Sequence, residues 1–188
     1  MAVTMTVGAP SVTVRADSNL LQYVETYVSG DTLVVRHSPG VVLYDAHIDA
    51  VVSNDVLAGL DASGGSHVTA VATPTTGFPM TVSGGSHATL SGVSTHSMRL
   101  DASGGSHATV SGAVATLTLS DSGGSHVYGA GLSATTADVG LSGGSQLELS
   151  VTTTLRGSAS GGSQLTIYGR PTASVSMSGG SQVTYVDN

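Results

Sequence analysis

The tetrapeptide Ser-Gly-Gly-Ser recurs at regular intervals through the last two thirds of the chain. Its copies begin at Ser63, Ser83, Ser103, Ser122, Ser142, Ser160 and Ser178. Each copy is followed by His or Gln, then by an apolar residue, and usually by Thr. A fixed period of about 20 residues with a glycine mark is typical of a solenoid, in which every repeat forms one coil. A single coil cannot bury its apolar side alone, so the repeats are expected to stack on one another.

Polar and apolar residues alternate on both sides of the glycine pair, which is the periodicity of a β-strand. One example is the run His87-Ala88-Thr89-Leu90. An apolar column also precedes the glycine pairs, formed by Leu60, Met80, Leu100, Leu119, Val139 and Val175. These segments are short, rich in Val and Thr, and interrupted by Gly, which argues against helices. The predicted fold is all-β: a parallel β-helix (β-solenoid) with about 18–20 residues per rung and strands about 4.8 Å apart.

The glycine pair is interpreted as the corner of each coil, where the backbone needs positive φ or a very close approach. A flexible Gly-Ser linker is the alternative, but linkers do not carry apolar columns in register between them. Calcium-binding nonapeptide repeats are also excluded, since they need Asp after the glycine turn. This chain has His or Gln there.

The chain is divided into an N-terminal cap and a solenoid. Residues 1–40 are predicted to supply capping strands, broken at Gly8-Ala9-Pro10, and a short helix that starts after the N-cap Asp17-Ser18-Asn19. Residues 41–188 are predicted to form about seven to eight rungs of one structural domain. The cap would cover the first edge of the coil, which would otherwise be open to pairing with another chain.

The period extends one step before the first glycine pair. The run from His47 to Val51 lies one full period before the run that starts at His67. We therefore expect His47 to join the column of histidines, with Tyr44-Asp45-Ala46 in the place of Gly-Gly-Ser.

Two features depart from the regular pattern. Asp121 stands where a neighbouring repeat has Ala102, and a bulge that turns its side chain outward is the expected explanation. Tyr185 falls in an inward column of the last rung, with no cap after it. Either the chain was truncated here or this end packs on another molecule. We expect self-association or end-to-end packing through the uncapped C-terminal rung, near residues 178 to 188.

Composition limits the partners. Only 9% of residues are charged and the net charge is −7, which argues against a nucleic-acid partner and against binding to anionic lipid. No stretch is long and apolar enough to be a transmembrane segment. Cysteine is absent, which neither requires nor excludes an oxidising compartment. The first ten residues lack the charged and apolar regions of a signal peptide.

The combined pattern resembles the bacterial β-helix repeat family called "putative auto-transporter adhesin, head GIN domain". The opening from Val12 to Leu21, followed by Gly30-Asp31-Thr32-Leu33, looks like the opening of that family. The Ser-Gly-Gly-Ser copies look like its Ser-Gly-Ser-Gly-Asp repeats, although His or Gln stands here where the family commonly has Asp. The resemblance implies a parallel β-helix on a protein that is secreted or attached to the cell envelope (periplasm or outer surface). It brings no catalytic residues with it.

Catalysis by a β-helix usually needs clustered carboxylates or a basic residue on one face. The 12 acidic and 5 basic residues are scattered. The nearest approach to a cluster is Asp45, His47 and Asp49, which alternation would place on one face; a solvated first-rung edge explains them equally. The chain is therefore predicted not to be an enzyme, with no catalytic residue and no cofactor.

The histidine column offers the one candidate for metal binding. Its members share the position directly after the repeat turn and are His47, His67, His87, His107 and His126. Neighbouring imidazoles could share one Zn²⁺ or Ni²⁺. Gln continues the column in the later repeats, which favours a stacked polar ladder over a metal site.

The functional prediction is a non-enzymatic structural or adhesin-like protein of the bacterial surface or envelope, which presents a repetitive β-helix surface to a carbohydrate or protein ligand. The alternative is a carbohydrate-binding or carbohydrate-processing β-helix protein. A groove with paired carboxylates and exposed aromatic residues would favour the alternative, and a smooth ladder face would favour the first function.

Overall fold

The computed structural model describes residues 1–41 and 47–187. Strands make up 68% of it, and about 6 stacked parallel turns form a β-solenoid. The described residues contain no α-helix. The predicted parallel β-helix is therefore confirmed.

The N-terminal part contributes strands β1 (Ala2–Val7), β2 (Ser11–Ala16), β3 (Val24–Ser29), β4 (Thr32–His37), β5 (Ile48–Asn54) and β6 (Leu60–Ala62). The break between β1 and β2 falls at the predicted Gly-Ala-Pro turn. The predicted short helix is a single 3-10 turn, Leu21–Tyr23, and no side chain caps it. Instead the Asp17 backbone carbonyl accepts bonds from the N–H groups of Leu20 and Leu21.

The complete coils follow from residue 67 onward. Their strands are β7 (His67–Val71), β8 (Thr75–Val82), β9 (His87–Ala102), β10 (His107–Asp121), β11 (His126–Leu141), β12 (Gln146–Ala159), β13 (Gln164–Tyr168), β14 (Thr172–Met177) and β15 (Gln182–Val186). Each strand pairs in parallel with its copy in the next coil. Register stays constant just after the turn and shifts only further along, for example between Val110 and Gly112.

The core is a narrow column of aliphatic side chains. Its fully buried members include Leu90, Leu100, Leu117, Leu149, Leu155, Leu165 and Ile167. Each comes from an apolar position of the alternating pattern, so apolar columns extend from coil to coil. Burial of one such side chain contributes about 1.5–3 kcal/mol to folding.

Tight turns with two left-handed glycines form the repeat corners. Gly104 and Gly105 have φ values of 66° and 72°, as predicted for the corner. In the turn one coil earlier, the Ser86 N–H donates to the Ser83 carbonyl over 3.2 Å, which closes a type I′ turn. The second serine of the turn is fully buried at Ser86 and Ser106.

Strand β1 lies inside the solenoid sheet, between β5 and β7, and pairs in parallel with both. Ala2 is aligned with His67 on one side and with Asp49 on the other. The expectation that His47 joins the histidine column is therefore wrong. Strand β1 separates the segment of His47 from β7, and the residue level with His67 across β1 is Asp49, two positions after His47. The regular spacing of the repeats gave no sign of the insertion, because β1 comes from a distant part of the chain.

The two ends of the sheet differ. At the N-terminal end β2 runs antiparallel to β5 and is the edge strand, while β3 and β4 form a separate hairpin. The segment Tyr44-Asp45-Ala46 lies outside the described residues. At the other end β15 is the last strand. Tyr185 is aligned there with the buried Ile167 yet is 46% exposed.

Candidate functional site

Two parallel rows of outward side chains cover the face that follows the repeat turns. We call His67, His87, His107 and His126 the His row, and Thr69, Thr89, Thr109 and Tyr128 the Thr row. Both follow from constant register, because residues at the same position after each turn are direct partners in neighbouring strands. In later coils the His row continues as Gln146, Gln164 and Gln182, and the Thr row as Glu148, Thr166 and Thr184.

The imidazoles of the His row stack face to face. The ring centroids of His67 and His87 lie 4.7 Å apart, and those of His87 and His107 lie 4.6 Å apart, with planes within 3° of parallel. The His126 ring is 4.9 Å from the His107 ring but tilted by 38°. Its Nδ1 lies 3.3 Å from the Tyr128 hydroxyl, which accounts for the tilt.

Charge is disfavoured at the centre of the row. Burial lowers the pKa of His107, and the neighbouring imidazoles of His87 and His126 lower it further. The Nδ1 atom of His107 is buried without a hydrogen-bond partner among the described residues. Protonation of the row therefore works against both desolvation and repulsion between adjacent rings.

The stacked geometry is a poor one for a shared metal ion. Two imidazoles that ligate the same Zn²⁺ place their nitrogens about 2.0–2.1 Å from it, so even a linear arrangement needs nitrogens closer than the 4.6–4.7 Å ring spacing. Parallel rings also direct their lone pairs along parallel lines. Within residues 1–41 and 47–187, no group of three or more His, Cys, Asp or Glu side chains is arranged to hold a metal.

The predicted outward bulge at Asp121 is wrong, because its side chain points into the solenoid. Asp121 is 1% exposed and stays in register with Ala102 on one side and Leu141 on the other. The Ser125 hydroxyl donates to Oδ1. Burial raises the pKa of Asp121 to about 6, while bonds from Ser125, Ser145 and the Ser122 backbone oppose that rise.

A second face carries an open groove of about 310 Å³, which sequence reasoning missed. Its lining residues are Thr116, Thr136, Ala137, Asp138, Thr154 and Arg156. The threonines are aligned in consecutive coils, and Asp138 is aligned with Arg156. The available signal was the recurrence of Thr at the repeat period, although Thr is too common in this chain for that signal to stand out.

The groove holds one carboxylate and one guanidinium that are not paired with each other. The ion pairs found among the described residues join Arg36 to Glu25, Arg99 to Asp101, and Arg170 to Asp187. Asp138 and Arg156 are both exposed. The groove can therefore offer hydroxyls, an acceptor and a charged donor to a polar ligand.

The part of the chain that the structure describes includes no helix of the length and apolar character needed to cross a membrane. Among curated proteins, none matches this sequence.

Several solved structures share the fold. A "putative adhesin" from Bacteroides fragilis superimposes with a TM-score of 0.88 at 13% identity, over 100% of this chain and 88% of that one. A "putative adhesin" from Parabacteroides distasonis gives a TM-score of 0.76 at 17% identity, over 99% and 89%. A "putative lipid binding protein" from the same species gives 0.74 at 16% identity, over 98% and 87%.

A family model matches residues 1–171, which is most of the chain. That span includes the N-terminal strands and the coils that carry the His row. The chain therefore belongs to the family described as "Putative auto-transporter adhesin, head GIN domain".

Proposed function

We propose that this protein is a non-enzymatic, adhesin-like component of the bacterial surface or envelope, and that its solenoid presents a repetitive face to a ligand. The observation that carries the proposal is the face made by the His row and the Thr row, which we call the ladder face. Constant register holds chemically equivalent side chains in line over four coils. Membership of an adhesin-like family supports the surface location.

The distribution of carboxylates supports a binding role over a catalytic one. Hydrolysis of a glycosidic bond commonly needs two carboxyl groups that flank the bond. Among the described residues that line the groove, Asp138 is the single carboxylate and none is aromatic. Asp121 is enclosed in the interior and offers no surface for a substrate.

The proposal is tested with the purified full chain coupled to beads, which are incubated with bacterial cells and with immobilised host matrix proteins and glycans. Beads coated with the protein should adhere to at least one surface more than beads coated with an inert protein. A double variant, Thr89→Glu with Thr109→Glu, should reduce adhesion because it places bulk and negative charge on the ladder face. Equal retention of the original chain and this variant on every surface would count against this face as the adhesive one. Fractionation of the native bacterium, with the protein detected in the envelope or the medium, tests location.

Carbohydrate binding in the groove is a second candidate, since the Thr116, Thr136 and Thr154 hydroxyls lie beside Asp138 and Arg156. Sugar hydroxyls both donate and accept hydrogen bonds, so they suit such a mixed lining. Arg156→Ala combined with Asp138→Ala should abolish retention on a glycan array if the groove is the site. The ladder variants should leave that retention unchanged.

We also propose self-association through the last rung, with a second copy of the chain as the occupant. Strand β15 is the last in the sheet, and the exposed apolar side chains there include Met177 at 50% and Tyr185 at 46%. The opposite end of the sheet finishes in the antiparallel strand β2. A two-fold arrangement of β15 against its copy would cover the apolar ends and close the assembly.

A further inference from the structure

On the ladder face, the stacked imidazoles expose their ring edges to a ligand, and stacking restricts access to their ring faces. Because the rings of His67, His87 and His107 cover one another's faces, only their outer edges are open to solvent. His67 and His87 are exposed, and His107 and His126 are half-buried. The face therefore presents one imidazole edge per strand, in single file.

Negative charge is absent from the two rows over these four coils, although the chain as a whole carries −7. Above the row, β1 contributes the uncharged Ala2, and Asp49 lies one strand beyond it. Below the row, β12 places Gln146 under His126 and Glu148 under Tyr128. Over these four coils the two rows therefore hold no carboxylate, and positive charge on them comes from protonated imidazoles.

Acidic residues on the strands before the turn lie across the corner from the row. Asp101 is held there by Arg99 through bonds of 2.8 Å and 2.9 Å, and Asp61 is exposed on β6. Asp121 is enclosed in the corner itself. The Ser-Gly-Gly-Ser turns separate these groups from the ring edges, and their glycines carry no side chain that could cover the row.

We propose that the His row binds an extended acidic polysaccharide, one with a carboxylate on its sugar units, in mildly acidic solution. The ring spacing of 4.6–4.9 Å sets up to four charges in a straight line, which suits a linear polymer with regularly repeated single charges. The Thr row runs beside it with exposed hydroxyls at Thr69, Thr89 and Thr109. Those hydroxyls can bond to the sugar rings. This inference rests on the proposed adhesive function and names the ligand class for it.

Binding and protonation are linked in this arrangement. Adjacent imidazolium rings repel each other, and a bound row of carboxylates offsets that repulsion. The complex should therefore take up protons when it forms, and affinity should fall as the pH rises and the imidazoles lose protons. Added salt should weaken the complex, because the charges meet at the surface.

A nucleic acid also carries regularly spaced negative charge, and the net charge of −7 opposes its approach as it opposes that of any polyanion. A polysaccharide has, in addition, the hydroxyls that the Thr row can bond. Nucleic-acid binding is therefore kept as an outcome of the test.

The test uses isothermal titration calorimetry, in which polygalacturonate is titrated into the full chain at about pH 5 and at about pH 8. The matched control polymer is methyl-esterified polygalacturonate, which has the same backbone without the charges. We expect binding at the lower pH, with net proton uptake measured in buffers of different ionisation enthalpy. We expect about tenfold weaker binding, or none, at the higher pH.

Variants test the row itself. His87→Gln with His107→Gln copies the residues that the later coils already carry, and it should weaken binding about tenfold. His96→Gln removes an exposed imidazole from a different part of the coil and should leave binding unchanged. Gln146→His lengthens the row and should tighten binding. Circular dichroism of each variant shows whether the fold is kept.

Equal affinity at both pH values, or unchanged affinity in the double Gln variant, would overturn the inference. Equal binding of the esterified polymer would also overturn it. Tighter binding of single-stranded DNA than of the polysaccharide would overturn the ligand class. None of these results bears on the bead adhesion assay, so failure of this inference is distinguishable from failure of the adhesive function.

Discussion

The Ser125 hydroxyl donates a hydrogen bond to the Asp121 carboxylate inside a corner of the solenoid. The other carboxylate oxygen, Oδ2, has no partner among the described residues. Asp121 is aligned with Ala102 of the preceding coil. A carboxyl group therefore occupies the inward position that a methyl group fills one coil earlier. Burial raises its pKa to about 6.

The first prediction is that Asp121→Ala stabilises the protein above pH 6. A raised pKa means that the folded state binds more protons than the unfolded chain between the two pKa values. Stability therefore falls as the pH rises through that window. Ala removes this cost, which is about 2–3 kcal/mol for a shift of about two pH units. Melting temperatures from about pH 4 to pH 8 should show a gain that grows with pH.

Loss of the carboxylate leaves neither serine unpaired. The Ser125 hydroxyl also reaches the Ser122 carbonyl over 2.7 Å, and the Ser145 hydroxyl reaches the Ser142 carbonyl over 2.6 Å. The reciprocal variant Ala102→Asp is the matched control, since it buries a carboxyl at the same position one coil earlier. It should destabilise at about pH 8 more than at about pH 4. A gain from Asp121→Ala that is the same at every pH would contradict the ionisation argument.

The second prediction concerns acid sensitivity of the His row. Burial and the neighbouring rings lower the pKa of His107, so the unfolded chain binds more protons. The stability from the neutral ring is present above the unfolded pKa and is lost as pH falls through the folded one. Acidification toward about pH 5 should therefore loosen the coils of the His row before the coils that carry Gln. Hydrogen exchange measured by mass spectrometry resolves the two regions.

The variant His107→Gln should reduce this acid sensitivity, and His96→Gln should not. Because the effect of Asp121 has the opposite sign, the comparison is cleanest when both histidine variants are also made in the Asp121→Ala background. Identical exchange in both regions at the lower pH would argue against repulsion in the row.

The third prediction separates two kinds of glycine. Gly105 has φ 72° with open space around an added Cβ, whereas at Gly112, with φ 132°, the added atom would overlap the Val93 backbone. Gly105→Ala should cost about 1 kcal/mol from backbone strain alone. Gly112→Ala should cost clearly more, because one backbone must move away from another. Chemical denaturation compares them, and equal losses would contradict the difference in packing.

The fourth prediction addresses the last rung. Tyr185→Arg should convert an associated species to a monomer in sedimentation experiments, because it places a charge where two apolar ends would meet. Thr69→Arg, on an exposed ladder position far from that end, should leave association unchanged. A chain that sediments as a monomer at high concentration would contradict the proposal.

The fifth prediction concerns metal. The ring spacing leads us to expect that Zn²⁺ or Ni²⁺ does not stabilise the protein through the His row. Melting temperatures with metal and with chelator should agree, both in the original chain and in the variant with His87→Gln and His107→Gln. A stabilisation by metal that this double variant abolishes would show that the rings rearrange to ligate it.

The repeat made most of the fold predictable because it fixes register. Once Ser-Gly-Gly-Ser marks a corner, alternation assigns the inward and outward columns, and parallel stacking places His67 beside His87. The positive φ of Gly104 and Gly105 follows from the same corner. These features depend on short-range sequence that is repeated, so each copy supports the interpretation of the others.

The features that escaped prediction are those that break the repeat. The chemistry of Asp121 suggests exposure, but the neighbouring strands hold its backbone in register and so force the side chain inward. The prediction that His47 joins the histidine column failed for a long-range reason. Strand β1 inserts between β5 and β7, and nothing in the sequence near His47 indicates that pairing. The groove at Asp138 and Arg156 depends on side chains from separate coils that periodicity alone does not mark as a site.

The position of β1 also bears on the order in which the solenoid can assemble during synthesis. This strand leaves the ribosome before either of its two neighbours, β5 and β7, has been made. The backbone groups on both edges of β1 stay unpaired until β5 and β7 have been synthesised. Pairing between segments so far apart in sequence is slow, because the loop between them must close first. In the finished sheet β1 is an internal seam, with β5 and β2 on one side and the coils from β7 to β15 on the other. A nascent chain stalled before residue 67 would hold the seam half formed, with an edge open to other chains.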